Sequence, residues 1–179
     1  MYMEIAVQLV ETIPQGVFNL KKLVALLALV ILLAAFLYGE NNLVAVNYLS
    51  LNLDNLPAAF TGLTIVHLSD LHGKSFGKEQ RGIVQKVEVV KPDLIVFTGD
   101  LIDRRHGGAE AGLELLDRLA KIAPVYYVTG NHEGWAGNFS TLCPQLEKRN
   151  VKVLSNTHHR LCRGKDTIYI LGIDDPALQ

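Results

Sequence analysis

The sequence predicts an α/β protein built on a mainly parallel sheet and preceded by one apolar helix. Short apolar runs rich in β-branched residues alternate with stretches of helical periodicity, the rhythm of βαβ units. Three of these runs, Leu63–Leu68, Leu94–Phe97 and Pro124–Val128, close on turns that carry glycine and polar side chains. Leu23–Tyr38 contains no charged residue and lifts the mean hydropathy to +0.22, although the formal net charge is only -1.

Residues 1–16 mix polar and apolar side chains, include the breaker Pro14-Gln15-Gly16, and read as an N-terminal extension. Residues 17–39 read as a transmembrane or signal-anchor helix. The uncharged run lies near the lower limit of the ~17–25 residues that cross a bilayer. Being apolar on every face, it suits lipid better than a protein surface. A buried core helix is one competing reading and a cleaved signal peptide another. Lys21-Lys22 and the apolar run fit a signal peptide, but the bulky Phe36, Leu37 and Tyr38 leave no small-x-small cleavage site, which favours an uncleaved anchor. The lysines precede the run and only Glu40 closely follows it. The positive-inside rule then makes the protein a single-pass protein of the cell membrane, its remaining chain extracytoplasmic.

Residues 40–179 read as the folded domain. Asn41–Leu53 alternates, with Val44, Val46 and Tyr48 on one side, and predicts a half-buried strand at a sheet edge, ended by Leu56-Pro57. Leu63–Leu68 is the next strand. Gly77–Val90, with Ile83, Val84, Val87 and Val90 at helical spacing, predicts a helix closed by Lys91-Pro92. Leu94–Phe97 is a strand buried on both faces, followed by a helix over Gly107–Ala120. Pro124–Val128 is a third buried strand. Phe139–Arg149 predicts a helix in which Pro144 is tolerable only in the first turn. Val151–Ser155, His158–Cys162 and Thr167–Ile173 read as short strands around a Gly164-Lys165-Asp166 turn.

Composition argues against several classes. No basic stripe supports nucleic acid as a partner. No GxGxxG or GxxxxGK[ST] loop supports dinucleotides or nucleoside triphosphates. Cys143 and Cys162 are too few for a disulfide framework and allow at most one bridge.

The chemistry gathers at three strand ends, where open α/β sheets place their ligands. The first supplies Asp70 and His72, the second Asp100, the third Asn131 and His132. In an extended segment residues two apart face the same side, so Asp70 and His72 can grip one ion while Leu71 turns into the core. Parallel strands ~4.8 Å apart allow two ions ~3.5–4 Å apart if one carboxylate bridges them, and Asp100 on the middle segment is the natural bridge. Mixed Asp, Asn and His ligation suits Mn, Fe, Zn or Co rather than calcium. Each motif alone has an ordinary structural explanation as a turn or helix cap; three in order on successive strands do not.

Asp70-Leu71-His72, Gly99-Asp100-Leu101-Ile102-Asp103-Arg104 and Gly130-Asn131-His132-Glu133 together make the chain resemble the calcineurin-like metallophosphoesterases. The resemblance covers about Leu56 to Pro176, and the anchor with its Leu56–Leu63 lead-in is similar to the membrane-anchored bacterial branch. It implies a double β-sheet sandwich flanked by helices, and hydrolysis of a phosphomonoester, phosphodiester or lipid-linked pyrophosphate by two divalent ions with a bridging hydroxide. Asp70 and His72 would bind one metal, Asn131 the other, and Asp100 would bridge. His132 would protonate the leaving oxygen, Asp103 would orient His132, and Arg104 would hold a phosphate oxygen. No Ser or Cys nucleophile is then needed.

The family completes this site with three further histidines, one at a later strand end and two in a Gly-His-x-His motif, which do not occur before Gln179. The domain therefore reads as C-terminally incomplete, carrying about half the ligand set and roughly the first sheet. His158-His159 lacks the glycine context of a substitute. His67 reads as a packed or hydrogen-bonded core residue and His106 as an exposed loop residue. Two function classes follow: a membrane-anchored phosphoesterase, and an inactive membrane-tethered metal-binding or interaction domain. An extracytoplasmic nuclease of the same fold is a weaker third.

Overall fold

The computed structural model describes residues 20–105 and 108–178. It divides into two units, residues 1–43 and 44–179. Within the described part of the first, α1 runs Leu20–Asn42 with no buried residue. At 1.5 Å per residue a helix of this length reaches about 34 Å, enough for a hydrocarbon core of ~30 Å. It ends three residues beyond the expected boundary. Asn41 and Asn42 extend it, each donating its side-chain amide to a carbonyl of the last turn, Leu37 and Tyr38, at 2.8 Å. The expected extension 1–16 and the first three residues of the expected helix lie outside the described residues.

The second unit opens with a correction. Asn41–Leu53 forms no strand: after α1 the chain is irregular to residue 53. Tyr48, expected on one side of a half-buried strand with Val44 and Val46, is 81% exposed. Alternation marks a strand only where a ladder partner exists, and among the described residues no strand pairs with this segment.

From there the βαβ rhythm holds. The strands β1 (Ile65–Leu68), β2 (Leu94–Thr98), β3 (Val125–Val128) and β4 (Val151–Val153) form one sheet in the order 1-2-3-4. All three pairings are parallel, and β2 is held between β1 and β3. The helices α2 (Arg81–Val90), α3 (Ala109–Leu119) and α5 (Phe139–Glu147) follow β1, β2 and β3. Leu113, Leu116 and Leu119 of α3, Val84 and Val87 of α2 and Leu142 and Leu146 of α5 pack with Ile95, Phe97, Val125 and Tyr127 in the main core. The strands β5 (Thr157–Arg163) and β6 (Asp166–Gly172) form an antiparallel hairpin. Its Leu161 and Ile170 join Leu94, Tyr126 and Leu154 in a smaller core.

Three local expectations change. β1 is half-exposed because it is the sheet edge, and its His67 is exposed, bonding Thr98 Oγ1 through Nε2 at 2.8 Å. Pro144 stands in the second turn of α5, where the neighbouring buried Leu142 and Leu146 hold the helix despite the missing N–H. A short helix, α4 (Asn131–Ala136), starts directly after the third strand-end motif. Cys143 and Cys162 are both free.

Candidate metal centre

The site is assembled where β1, β2 and β3 end. The segments leaving β1 and β2 stay laddered beyond the strands. Asp70 N–H donates to Gly99 O at 3.1 Å, His72 N–H to Asp100 O at 2.9 Å and Gly73 N–H to Leu101 O at 2.9 Å. Asp70, His72 and Asp100 all have left-handed backbone, with φ of 56°, 50° and 53°. This conformation costs on the order of 1 kcal/mol or more for a residue with a β carbon, and such strain concentrates at functional sites. Asp70 and His72 therefore converge through left-handed backbone, not through the extended pleat expected from the sequence, while Leu71 between them is buried as expected.

The loop after β2 and the one after β3 touch through glycines. A β carbon on Gly99 would lie 2.0 Å from Gly130 N, and one on Gly130 would lie 2.2 Å from Asp100 Oδ1. Glycine is the one residue without the atom that would collide at either position.

Glu133 locks this junction. It is fully buried. Its Oε2 accepts the N–H groups of Asp100 at 2.9 Å and Gly130 at 2.7 Å; its Oε1 accepts those of Leu101 at 2.9 Å and Ile102 at 3.2 Å. Four backbone donors replace the water this carboxylate has lost. The sequence reading gave Glu133 no role. The available signal was its position three residues after the glycine that caps α4, the spacing of a capping box. Burial first, and then the Glu133 charge, push the Tyr127 phenol well above its ordinary range, so it is neutral at physiological pH.

Above this scaffold the polar side chains meet. His72 Nε2 stands 3.5 Å from Asp70 Oδ1 and 3.9 Å from Asp100 Oδ2. Ligand atoms of His72, Asp100 and His132 all lie within 4.8 Å of one another. Atoms bound at about 2.1 Å to one ion sit roughly 3–3.5 Å apart, close to the shorter of these spacings. The other ring nitrogen of His72, Nδ1, is buried with no hydrogen-bond partner. Leaving such a group unpaired costs about 1–3 kcal/mol. His72 Nε2 with the Asp70 and Asp100 carboxylates beside it presents nitrogen and oxygen donors, a set that fits a first-row divalent ion.

His132 is held differently. Its backbone N–H donates to Asp100 Oδ1 at 2.9 Å, and its ring Nδ1 accepts the Arg104 N–H at 3.3 Å. A neutral imidazole that accepts at Nδ1 carries its proton on Nε2. Asp103 Oδ1 accepts the Arg105 N–H at 2.7 Å, tightening the turn that presents the Arg104 amide. The Arg104 guanidinium lies over the Trp135 ring at 5.2 Å. Asn131 opens α4 next to His132.

Asp70, His72, Asp100 and His132 are thus brought together, with Asn131 at the start of α4 and Asp103 and Arg104 on the segment after β2. His158 and His159 stand elsewhere, on β5. His158 packs on Tyr169, and His159 Nε2 lies 3.0 Å from Lys152 Nζ. His106 lies outside the described residues.

Residues 63–175 match the family model described as "Calcineurin-like phosphoesterase". The chain belongs to this family. Its members are metal-dependent phosphoesterases, which agrees with the donor set at the three strand ends. Among similar proteins, the zebrafish (Danio rerio) "Transmembrane protein with metallophosphoesterase domain" is 30% identical over 157 residues, 83% of this chain and 36% of that protein. The Bacillus subtilis "Uncharacterized metallophosphoesterase YkoQ" is 35% identical over 159 residues, 84% of this chain and 58% of that protein. The chain thus spans about a third of the first relative and somewhat over half of the second. The Mycobacterium tuberculosis phosphopantetheinyl hydrolase has a TM-score of 0.44 to this chain at 20% identity, covering 61% of this chain and 41% of that one.

Proposed function

We propose that the chain serves a dinuclear, metal-dependent phosphoesterase, anchored in the membrane by α1 with its second unit outside the cytoplasm. Its substrate is a phosphomonoester, a phosphodiester or a lipid-linked pyrophosphate. The observation that carries the proposal is the convergence of His72, Asp100 and His132 ligand atoms within 4.8 Å, at the ends of adjacent parallel strands.

In this proposal Asp70 and His72 would hold one ion and Asn131 the other, with Asp100 as the bridging ligand; when bound, the ions would supply positive charge for the phosphoryl oxygens and lower the pKa of a water. The rest falls to the chain. His132 donates a proton from Nε2 to the leaving oxygen, and the Arg104 amide on Nδ1 favours the tautomer that can do so. The same bond disfavours His132 as an Nε2 metal ligand, because coordination there needs the proton on Nδ1 instead. Arg104 supplies a cation for a phosphoryl oxygen, and Asp103 orients His132, bracing the turn that presents the Arg104 amide to its Nδ1.

The test is hydrolysis of p-nitrophenyl phosphate and bis-p-nitrophenyl phosphate with and without manganese. Turnover should require the metal and fall at least about 100-fold in Asp100→Asn. Turnover indifferent to that substitution overturns the proposal. Tight metal binding with no turnover favours a membrane-tethered metal-binding domain instead.

A further inference from the structure

Two ring contacts meet at His132 in the candidate metal centre. His132 lies edge-on to His72 with ring centroids 4.5 Å apart, and Trp135 follows with its centroid 5.3 Å from His132. Trp135 lies three residues after His132 in α4, the spacing that sets two helical side chains beside each other. It is also the chain's only tryptophan. It is 54% exposed, although α4 is already fixed at its start by buried Glu133. A large indole left half in water beside a charged site contributes little to the core. The Arg104 guanidinium lies over the ring, 5.2 Å from its centroid, and the indole remains half-exposed.

We propose that Trp135 is a specificity-determining residue that stacks on the leaving group, so that the preferred substrates carry a planar aromatic ring close to the ester oxygen. The inference rests on the proposed role of His132. If His132 protonates the leaving oxygen, the phosphoryl group lies toward His72. The group attached to that oxygen then lies beside His132, within reach of Trp135, whose ring centroid is 5.3 Å from that of His132. A flat π-face stacks on an indole where an alkyl group offers little overlap.

Binding tests this separately from turnover. The full chain in detergent micelles, with zinc present, is titrated with phenyl phosphate and with methyl phosphate, using the fluorescence of the single tryptophan as the signal. Phenyl phosphate should quench saturably and bind about tenfold more tightly. Calorimetry on Trp135→Ala should show the two ligands at equal affinity, and Trp135→Phe should restore the preference for phenyl phosphate. Equal affinities in the unsubstituted chain, a preference that survives Trp135→Ala, or no saturable quenching by phenyl phosphate each overturns the proposal. Failure of the phosphoesterase reading has a different signature, which is ring-selective binding without metal-dependent hydrolysis.

Discussion

The carboxylate of Glu133 accepts the backbone N–H of Asp100 at 2.9 Å. Through this contact a residue outside the candidate ligand set holds the backbone of Asp100, whose carboxylate is expected to bridge two metals. The same side chain holds Leu101, Ile102 and Gly130, so it fixes two strand-end loops against each other. Glu133→Gln replaces one acceptor oxygen with an amide that must face backbone donors. It should cost about 3 kcal/mol of stability and weaken zinc binding about 10–100-fold. Thermal melts of the zinc-free chain and a zinc titration check the two effects independently. Unchanged zinc affinity in a destabilised variant would reduce Glu133 to a structural role.

The two glycines at the loop junction should differ in what they protect. Gly99 has φ of 87°, and its added β carbon meets the Gly130 backbone. Gly99→Ala therefore combines backbone strain with a collision that no side chain can relieve. Gly130 has φ of -103°, which any residue adopts, and its β carbon meets the Asp100 carboxylate and amide. Gly130→Ala should cost about 1–3 kcal/mol and lose zinc affinity by displacing Asp100; Gly99→Ala should melt at a lower temperature than Gly130→Ala. Melting curves and zinc titrations of both variants give the order.

Much of this was legible from periodicity. Val84 with Val87, and Leu113 with Leu116, announce helical faces, and Leu94–Phe97 announces a strand covered on both sides, because burial imposes those patterns locally. The site's polar side chains were legible for the same reason: each sits at the end of a run whose type is plain. What escaped depends on partners distant in sequence. Nothing local shows that Glu133 will receive amides from residues 100–102, or that Asp70 and His72 will leave the extended region. The alternation of Val44, Val46 and Tyr48 misled because a strand is defined by its neighbour as much as by its own pattern.

His132 should matter in proportion to how badly the leaving group needs a proton. Nitrophenolate departs readily as an anion, whereas methoxide does not. Replacing His132 by Ala should therefore lower turnover of p-nitrophenyl phosphate about tenfold or less, and that of methyl phosphate by about 10²–10⁴-fold. Steady-state rates on both substrates with manganese present decide this. Equal losses on the two would assign His132 to metal binding, against the tautomer favoured by the Arg104 amide.

The β5–β6 hairpin carries a pH dependence of its own. His159 packs against Tyr126 with ring centroids 5.4 Å apart and meets Lys152 Nζ at 3.0 Å. Desolvation, and then the Lys152 charge, hold the His159 imidazole below the usual value of about 6.5. The unfolded chain therefore takes up this proton at a higher pH than the folded one. The stability involved is fully present above about pH 6.5 and is lost as pH falls through that value toward the depressed folded one. The unsubstituted chain should lose more melting temperature between about pH 7.5 and about pH 5.5 than His159→Gln, which has no imidazole to protonate. Lys152→Met should fall between them, because the desolvation remains when the charge is gone. Melting temperatures that decline in parallel for all three chains would show that this contact does not couple hairpin docking to pH.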